Sequence, residues 1–279
     1  MVGAADILDR GSGPTFVCLH GFPQNMSAWD HVADQLAAAG FRVIAPNMRG
    51  YRTGSELCPR PNYTSTKLAE DVLALMSELE IPEAAVVGHD LGASVAWEVA
   101  RIAPDRVSRI FSLAAPHPAA FVQACVSSAQ LLRAWYVLGA QSSTLALKLF
   151  SPRDAGSARR LVTFLSERGL VSPEVDRYID YLRSDRRFES ALRWYQAMPL
   201  NDPRSVWTKA EVPATVIWGK LDPFTNARSV DLTCQWTNSS CSVHRLPDAG
   251  HWLLDYNAKA VAEILIEEMM HRAGATSDS

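Results

Sequence analysis

Between an apolar run, Ala84 to Val87, and a helix-like segment beginning at Ala93 lies Gly88-His89-Asp90-Leu91-Gly92. The spacing is that of the G-x-S-x-G nucleophile elbow, a sharp strand-to-helix turn, with aspartate in the serine's place. A serine needs a base before it can attack a carbonyl. A carboxylate is already ionised at neutral pH and opens saturated carbon by forming an ester. The exchange therefore implies displacement at sp3 carbon, with an alcohol or diol as the product class. Hydrolysis of the ester then requires a base for water, an acid to orient that base, and donors for the oxyanion. In the serine-type chain order the acid follows the nucleophile and the histidine comes last. Here Trp218-Gly219-Lys220-Leu221-Asp222-Pro223 closes one apolar run with an acid, and Ala249-Gly250-His251-Trp252 follows the last such run. His251 is the candidate base and Asp222 its preferred partner, with Asp248 and Asp255 as rivals. The backbone amides of Leu91, directly after the nucleophile, and of Phe22 in His20-Gly21-Phe22-Pro23 are the candidate oxyanion donors. The bland alternative for Asp90 is a helix N-cap, a place that aspartate favours.

These residues need rigid elements to hold them. Strand-like runs read as Ala5 to Leu8, Thr15 to Leu19, Phe41 to Ala45, Ala84 to Val87, Val107 to Leu113, Ala214 to Trp218 and Ser242 to Leu246. Helix-like segments fall near 27–39, 65–80, 91–103, 226–236 and 256–272. Such alternation predicts an α/β fold: a mostly parallel sheet flanked by helices on both faces. It breaks at Pro116-His117-Pro118, and the stretch 118–206 reads as helices alone. We therefore expect a core of 1–117 and 207–279 with an inserted helical lid, or cap, over 118–206. Within it, Trp135 and Trp194 are candidates for the pocket wall, as are His89 and Pro23 beside the core motifs. His89 also reads as a local hydrogen-bonding neighbour of the nucleophile.

The chain has 279 residues and a formal net charge of -3, with basic residues scattered along it. That balance points to a small-molecule substrate and to neither nucleic acid nor an acidic membrane surface as partner. The start, Met1 to Asp6, has no leader-like pattern, and no apolar stretch approaches the roughly 18 residues of a membrane span, so a cytoplasmic protein is expected. The five cysteines, Cys18, Cys58, Cys125, Cys234 and Cys241, lack paired spacing and are expected reduced, although Cys234 and Cys241 lie close in sequence. The seven histidines form no zinc motif, so no metal is expected.

Together these motifs resemble the α/β-hydrolase superfamily, specifically its aspartate-nucleophile branch of epoxide hydrolases and haloalkane dehalogenases. His20-Gly21-Phe22-Pro23, Arg49-Gly50-Tyr51, the elbow and the tract around His251 carry the likeness over nearly the whole chain. Ala134-Trp135-Tyr136 and Leu192-Arg193-Trp194-Tyr195-Gln196 look like the two lid segments of epoxide hydrolases that each supply a ring-opening tyrosine. The resemblance thus implies an epoxide hydrolase that forms a vicinal diol through a covalent aspartyl ester. Its substrate is a largely apolar epoxide, Tyr136 and Tyr195 are its acids, and no cofactor takes part. The alternatives are a haloalkane or haloacid dehalogenase, a biosynthetic epoxide-opening enzyme and a non-catalytic small-molecule receptor. Dehalogenases of this branch place a tryptophan donor after the nucleophile, where this chain has Leu91, and fluoroacetate-type relatives place arginines where it has Leu91 and Ser94. Other departures are Asn47 where relatives commonly carry aspartate, Arg52 where they carry glycine, and a single strand ahead of the His-Gly strand where the family usually has two.

Overall fold

A computed structural model describes residues 6–54, 57–184 and 186–276. Seven strands form one sheet: β1 (Ile7–Gly11), β2 (Thr15–Leu19), β3 (Arg42–Pro46), β4 (Ala84–His89), β5 (Val107–Leu113), β6 (Ala214–Gly219) and β7 (Cys241–Leu246). Their order is β1-β3-β2-β4-β5-β6-β7, with β1 antiparallel to β3 and every other pairing parallel. All six residues of β4 and of β6 are buried. This is why both read as unbroken apolar runs, since helices cover a parallel sheet on both faces. Four core helices, α1 (Asp30–Ala38), α2 (Ser65–Glu78), α3 (Leu91–Ile102) and the last helix of the chain (Ala258–Thr276), supply that cover, the first packing on the last and α2 on α3.

The first strand departs from expectation. Ala5 lies outside the described residues, and β1 runs on through Asp9, Arg10 and Gly11. An edge strand tolerates charge because one side meets water. Arg42 of β3 pairs with Asp9 at 2.7 Å, and Arg10 reaches Asp34 at 2.6 Å. Two sequence departures also find their reason at this edge. Asn47 accepts from the Met26 N–H at 3.0 Å and donates to Asp6 at 2.9 Å. Asp6 thus brings a carboxylate to the site, and a second one at 47 would face it across that bond. Arg52 donates to the Asn47 carbonyl at 3.3 Å.

Between β5 and β6 the chain forms helices: α4 (Pro118–Ser127), α5 (Gln130–Arg133), α6 (Trp135–Ala140), α7 (Ser143–Phe150), α8 (Ala155–Ser166), α9 (Glu174–Leu182), α10 (Arg187–Ala197) and α11 (Pro203–Trp207). Among the described residues of 118–206 there is no strand. The first of these helices stays on the core, where Ala120 and Ala124 pack against Leu232 of α12 (Ala227–Thr233). The expectation of reduced cysteines is corrected at one pair: Cys234 and Cys241 form a disulfide across a Cα–Cα distance of 5.6 Å. The turn that carries the chain from the end of α12 into β7 brings them together, a closure that the spacing of five cysteines could not reveal. Cys18 and Cys125 are free thiols. Among the described residues no helix is long and apolar enough to cross a membrane.

Candidate active site

Asp90 sits between β4 and α3 with φ 54° and ψ −120°, a conformation unfavourable for a residue with a side chain. Two glycines let the neighbouring chain close around it. A Cβ on Gly92 would lie 2.3 Å from the Leu19 carbonyl oxygen, and one on Gly21 would lie 2.5 Å from the Cβ of Asp90 itself. The Asp90 side chain makes no capping bond to α3, which removes the N-cap reading. Its Oδ1 accepts from the Phe22 N–H at 3.2 Å, and the adjacent Leu91 amide helps to keep the carboxylate ionised. Both candidate oxyanion donors therefore converge on one oxygen-bearing group. His20 shapes the loop that carries Phe22: Nδ1 donates to the Gly21 carbonyl at 3.1 Å and Nε2 accepts from the Met48 N–H at 3.0 Å. Burial lowers its pKa to about 4, so the ring is a neutral strut.

The other oxygen of Asp90, Oδ2, lies 3.5 Å from His251 Nε2. On the far side of that ring Nδ1 donates to Asp222 Oδ2 at 2.9 Å. Asp222 is fixed in turn by the N–H groups of Phe224 and Thr225, which donate to Oδ1 at 2.7 and 2.9 Å. The rivals point elsewhere: Asp255 accepts from Tyr178 and Gln24, and Asp248 is exposed. Burial alone would lower the pKa of His251, but Asp222 and Asp90 outweigh it and raise the value to about 10. Burial would likewise raise the Asp90 pKa, yet His251 and the elbow amide hold it below the usual carboxylate range. Neutralising Asp90 should release part of this coupling. In Asp90→Asn the His251 ring should titrate well below about 10, toward its ordinary 6.5, as read by NMR of the imidazole nitrogens. An unchanged titration would mean that Asp222 alone carries the shift.

Two cavities, of about 140 and 320 Å³, meet at Asp90, Tyr136, Tyr195 and Phe224. The smaller is walled by hydrocarbon such as Leu145, Leu161 and Phe164, whereas the larger adds Ser65, Asn201 and Thr225. Tyr136 on α6 and Tyr195 on α10 stand edge to face, ring centroids 6.0 Å apart. Among the described residues no hydrogen bond is found to either phenol hydroxyl. Burial first, and then the charge of Asp90, push both phenols well above their usual pKa, so each remains a proton donor.

The expected wall residues divide. Trp135 borders the smaller cavity, with about half its surface exposed. Trp194 borders the larger one while its indole N–H donates to the Arg49 carbonyl at 3.0 Å. Pro23 and His89 border neither. Pro23 is buried behind the Phe22 loop, and the His89 ring turns away from the cavities to bond the His251 carbonyl at 2.9 Å. Burial lowers its pKa to about 4, and this neutral ring ties the histidine loop to β4. Sequence reasoning missed Phe224 and Trp252, which pack edge-on against His251 with centroids 4.7 and 4.9 Å away. The available signal was an aromatic within two residues of each member of the acid–base pair.

A family model described as the alpha/beta hydrolase fold matches residues 14–258. The AB hydrolase superfamily protein YfhM of Bacillus subtilis is 27% identical over 94% of this chain and 92% of its own length. Epoxide hydrolase 3 of Xenopus tropicalis is 28% identical over 90% of this chain and 70% of its own. Among solved structures, the Bacillus megaterium epoxide hydrolase in complex with an inhibitor superposes with a TM-score of 0.79 at 22% identity, covering 93% of this chain and 94% of that one.

Proposed function

The chain belongs to the α/β-hydrolase fold family, and from that premise we propose that it is an epoxide hydrolase working through an ester of Asp90. The observation that carries the proposal is the meeting of two cavities at one carboxylate and two phenols without hydrogen-bond partners among the described residues. The name of the Xenopus tropicalis relative, at 28% identity, supports the same reading.

Asp90 Oδ2 attacks a ring carbon, the carbon–oxygen bond of the epoxide breaks, and the oxygen takes a proton from Tyr136 or Tyr195. Donation matters because an alkoxide is a poor leaving group, and a phenol of reference pKa about 10 is protonated at neutral pH. Esterification removes the charge of Asp90, so the imidazole of His251 loses one of its two stabilising anions when hydrolysis needs it neutral. His251 then takes a proton from water, which attacks the ester carbonyl carbon. The amides of Phe22 and Leu91 hold the oxyanion as it forms on Oδ1. Collapse expels the diol oxygen, which recovers a proton from the imidazolium, and the proton that water leaves on the new Asp90 carboxyl returns through solvent to the phenolate, restoring both groups. The insertion 118–206 serves as the lid that brings the phenols over Asp90.

A dehalogenase needs donors for a leaving halide. The Leu91 side chain offers none, and the Trp194 indole is already bonded. Haloacids need a cation, and neither cavity is bordered by lysine or arginine. A turnover screen across aliphatic, styrene-type and polycyclic epoxides alongside haloalkanes tests the choice, with diol and halide detected in parallel. Diol without halide is expected. Halide release without diol would overturn the reading.

A further inference from the structure

The segment 118–153 contains no aspartate or glutamate, while it carries Arg133, Lys148 and Arg153. Whole-chain charge hides this, because the acids that balance it lie elsewhere in the fold. The same segment holds much of the exposed apolar surface of the protein. Val126 is 86% exposed, Leu132 76%, Leu138 67% and Leu131 52%. Leu131, Trp135 and Leu138 recur at i, i+4 and i+7 along the nearly continuous α5 and α6, and Leu145 and Leu149 repeat the spacing on α7. Trp135, Leu145 and Leu149 are at once part of this exposed surface and part of the wall of the smaller cavity. The apolar face is therefore continuous with the chamber that ends at Asp90.

We propose that the face formed by α4 to α7 docks on an anionic membrane surface, and that uncharged, hydrocarbon-bearing epoxides pass from the bilayer into the smaller cavity. A contiguous apolar face marks an interaction site, and leucine and tryptophan with interspersed cations and no acids is the composition that lies in a lipid interface. Among the described residues Arg153 pairs with Glu189 at 3.5 Å, Arg133 donates to the Asp222 carbonyl, and Lys148 is exposed. A second copy of the chain fits less well. A symmetric contact sets the same patch against itself, so the cations would oppose one another. An anionic bilayer complements them. The docking stands on its own geometry; only the identity of what passes inward rests on the function proposed above.

Co-sedimentation with phosphatidylcholine vesicles, with and without phosphatidylglycerol, tests the docking directly. The wild-type protein should pellet with phosphatidylglycerol vesicles and do so less as salt rises. The Val126→Ser/Leu132→Ser/Leu138→Ser variant should partition about tenfold more weakly or worse, with an unchanged melting temperature, since these side chains border neither cavity. Lys148→Glu should weaken binding to the anionic vesicles alone. Equal pelleting of wild type and triple variant, or wild type left in the supernatant, would overturn the proposal. So would a concentration-dependent self-association that the triple variant abolishes, because the face would then belong to a second copy. A long-chain epoxide methyl ester dissolved in the vesicles should be turned over faster by wild type than by the triple variant, and styrene oxide in water equally by both. Vesicle binding without turnover of either epoxide would uphold the docking and defeat the epoxide-hydrolase reading instead.

Discussion

Tyr136→Phe/Tyr195→Phe is expected to bind substrate and yet nearly cease to open it. Each substitution removes one hydroxyl and leaves the ring, so the edge-to-face contact between the two rings and their contacts with Phe224 and Phe22 should persist. What is lost is the donor to the departing oxygen. General-acid assistance contributes about 10²–10⁴-fold. Both phenols border both cavities with Asp90, so one can partly cover for the other, and single variants should be slowed less than the double. Burial keeps both phenols protonated, so the loss should vary little with pH across the neutral range. Rapid-quench measurement of the first half-reaction checks this. A folded double variant with undiminished epoxide opening would remove the lid tyrosines from the chemistry and reopen the dehalogenase and receptor readings.

The second large effect concerns His251, which serves one half-reaction only. Ester formation needs no base, because Asp90 is held ionised. Ester hydrolysis does need one. His251→Gln should therefore react once with substrate and stop, with the alkyl-enzyme accumulating to near stoichiometry and steady-state turnover falling by about 10²-fold or more. Intact-protein mass spectrometry would show the adduct mass, and peptide mapping would place it on Asp90. A folded variant that forms no adduct would give the histidine some other task. The His89 bond to the His251 carbonyl is to the backbone and survives this substitution, so the histidine loop should keep its place.

What could be read from the sequence follows from how local each cause is. β4 and β6 announce themselves because a strand buried on both faces must be almost wholly apolar, and the elbow because its close approaches leave room only for glycine at 92. The end of β1 is hidden in the sequence because an edge strand carries charged residues whose partners, Arg42 and Asp34, are distant in sequence. The choice among Asp222, Asp248 and Asp255 could be ranked by chain order, but only the fold turns Asp255 toward Tyr178 and leaves Asp248 in solvent. Adjacency to motif residues points Pro23 and His89 to the wall. Adjacency does not say which way a ring points, and His89 points at a carbonyl. The Cys234–Cys241 disulfide needed the turn before β7 to be seen. The segment 118–153 shows the reverse case, for its lack of acids is plain in the sequence while its shared rim with the cavity is not.

The central claim is a covalent ester on Asp90, and a single turnover in heavy-oxygen water tests it most directly. Enzyme in excess over epoxide should release a first diol without the label and carry it in the Asp90 carboxylate, found by mass spectrometry of the peptide that contains the elbow. That outcome follows if water attacks the ester carbonyl carbon, because the diol oxygen then comes from Asp90 and the water oxygen remains on the enzyme. Label in the first diol, with an unlabelled Asp90, would mean that water attacks the epoxide itself and would contradict the account.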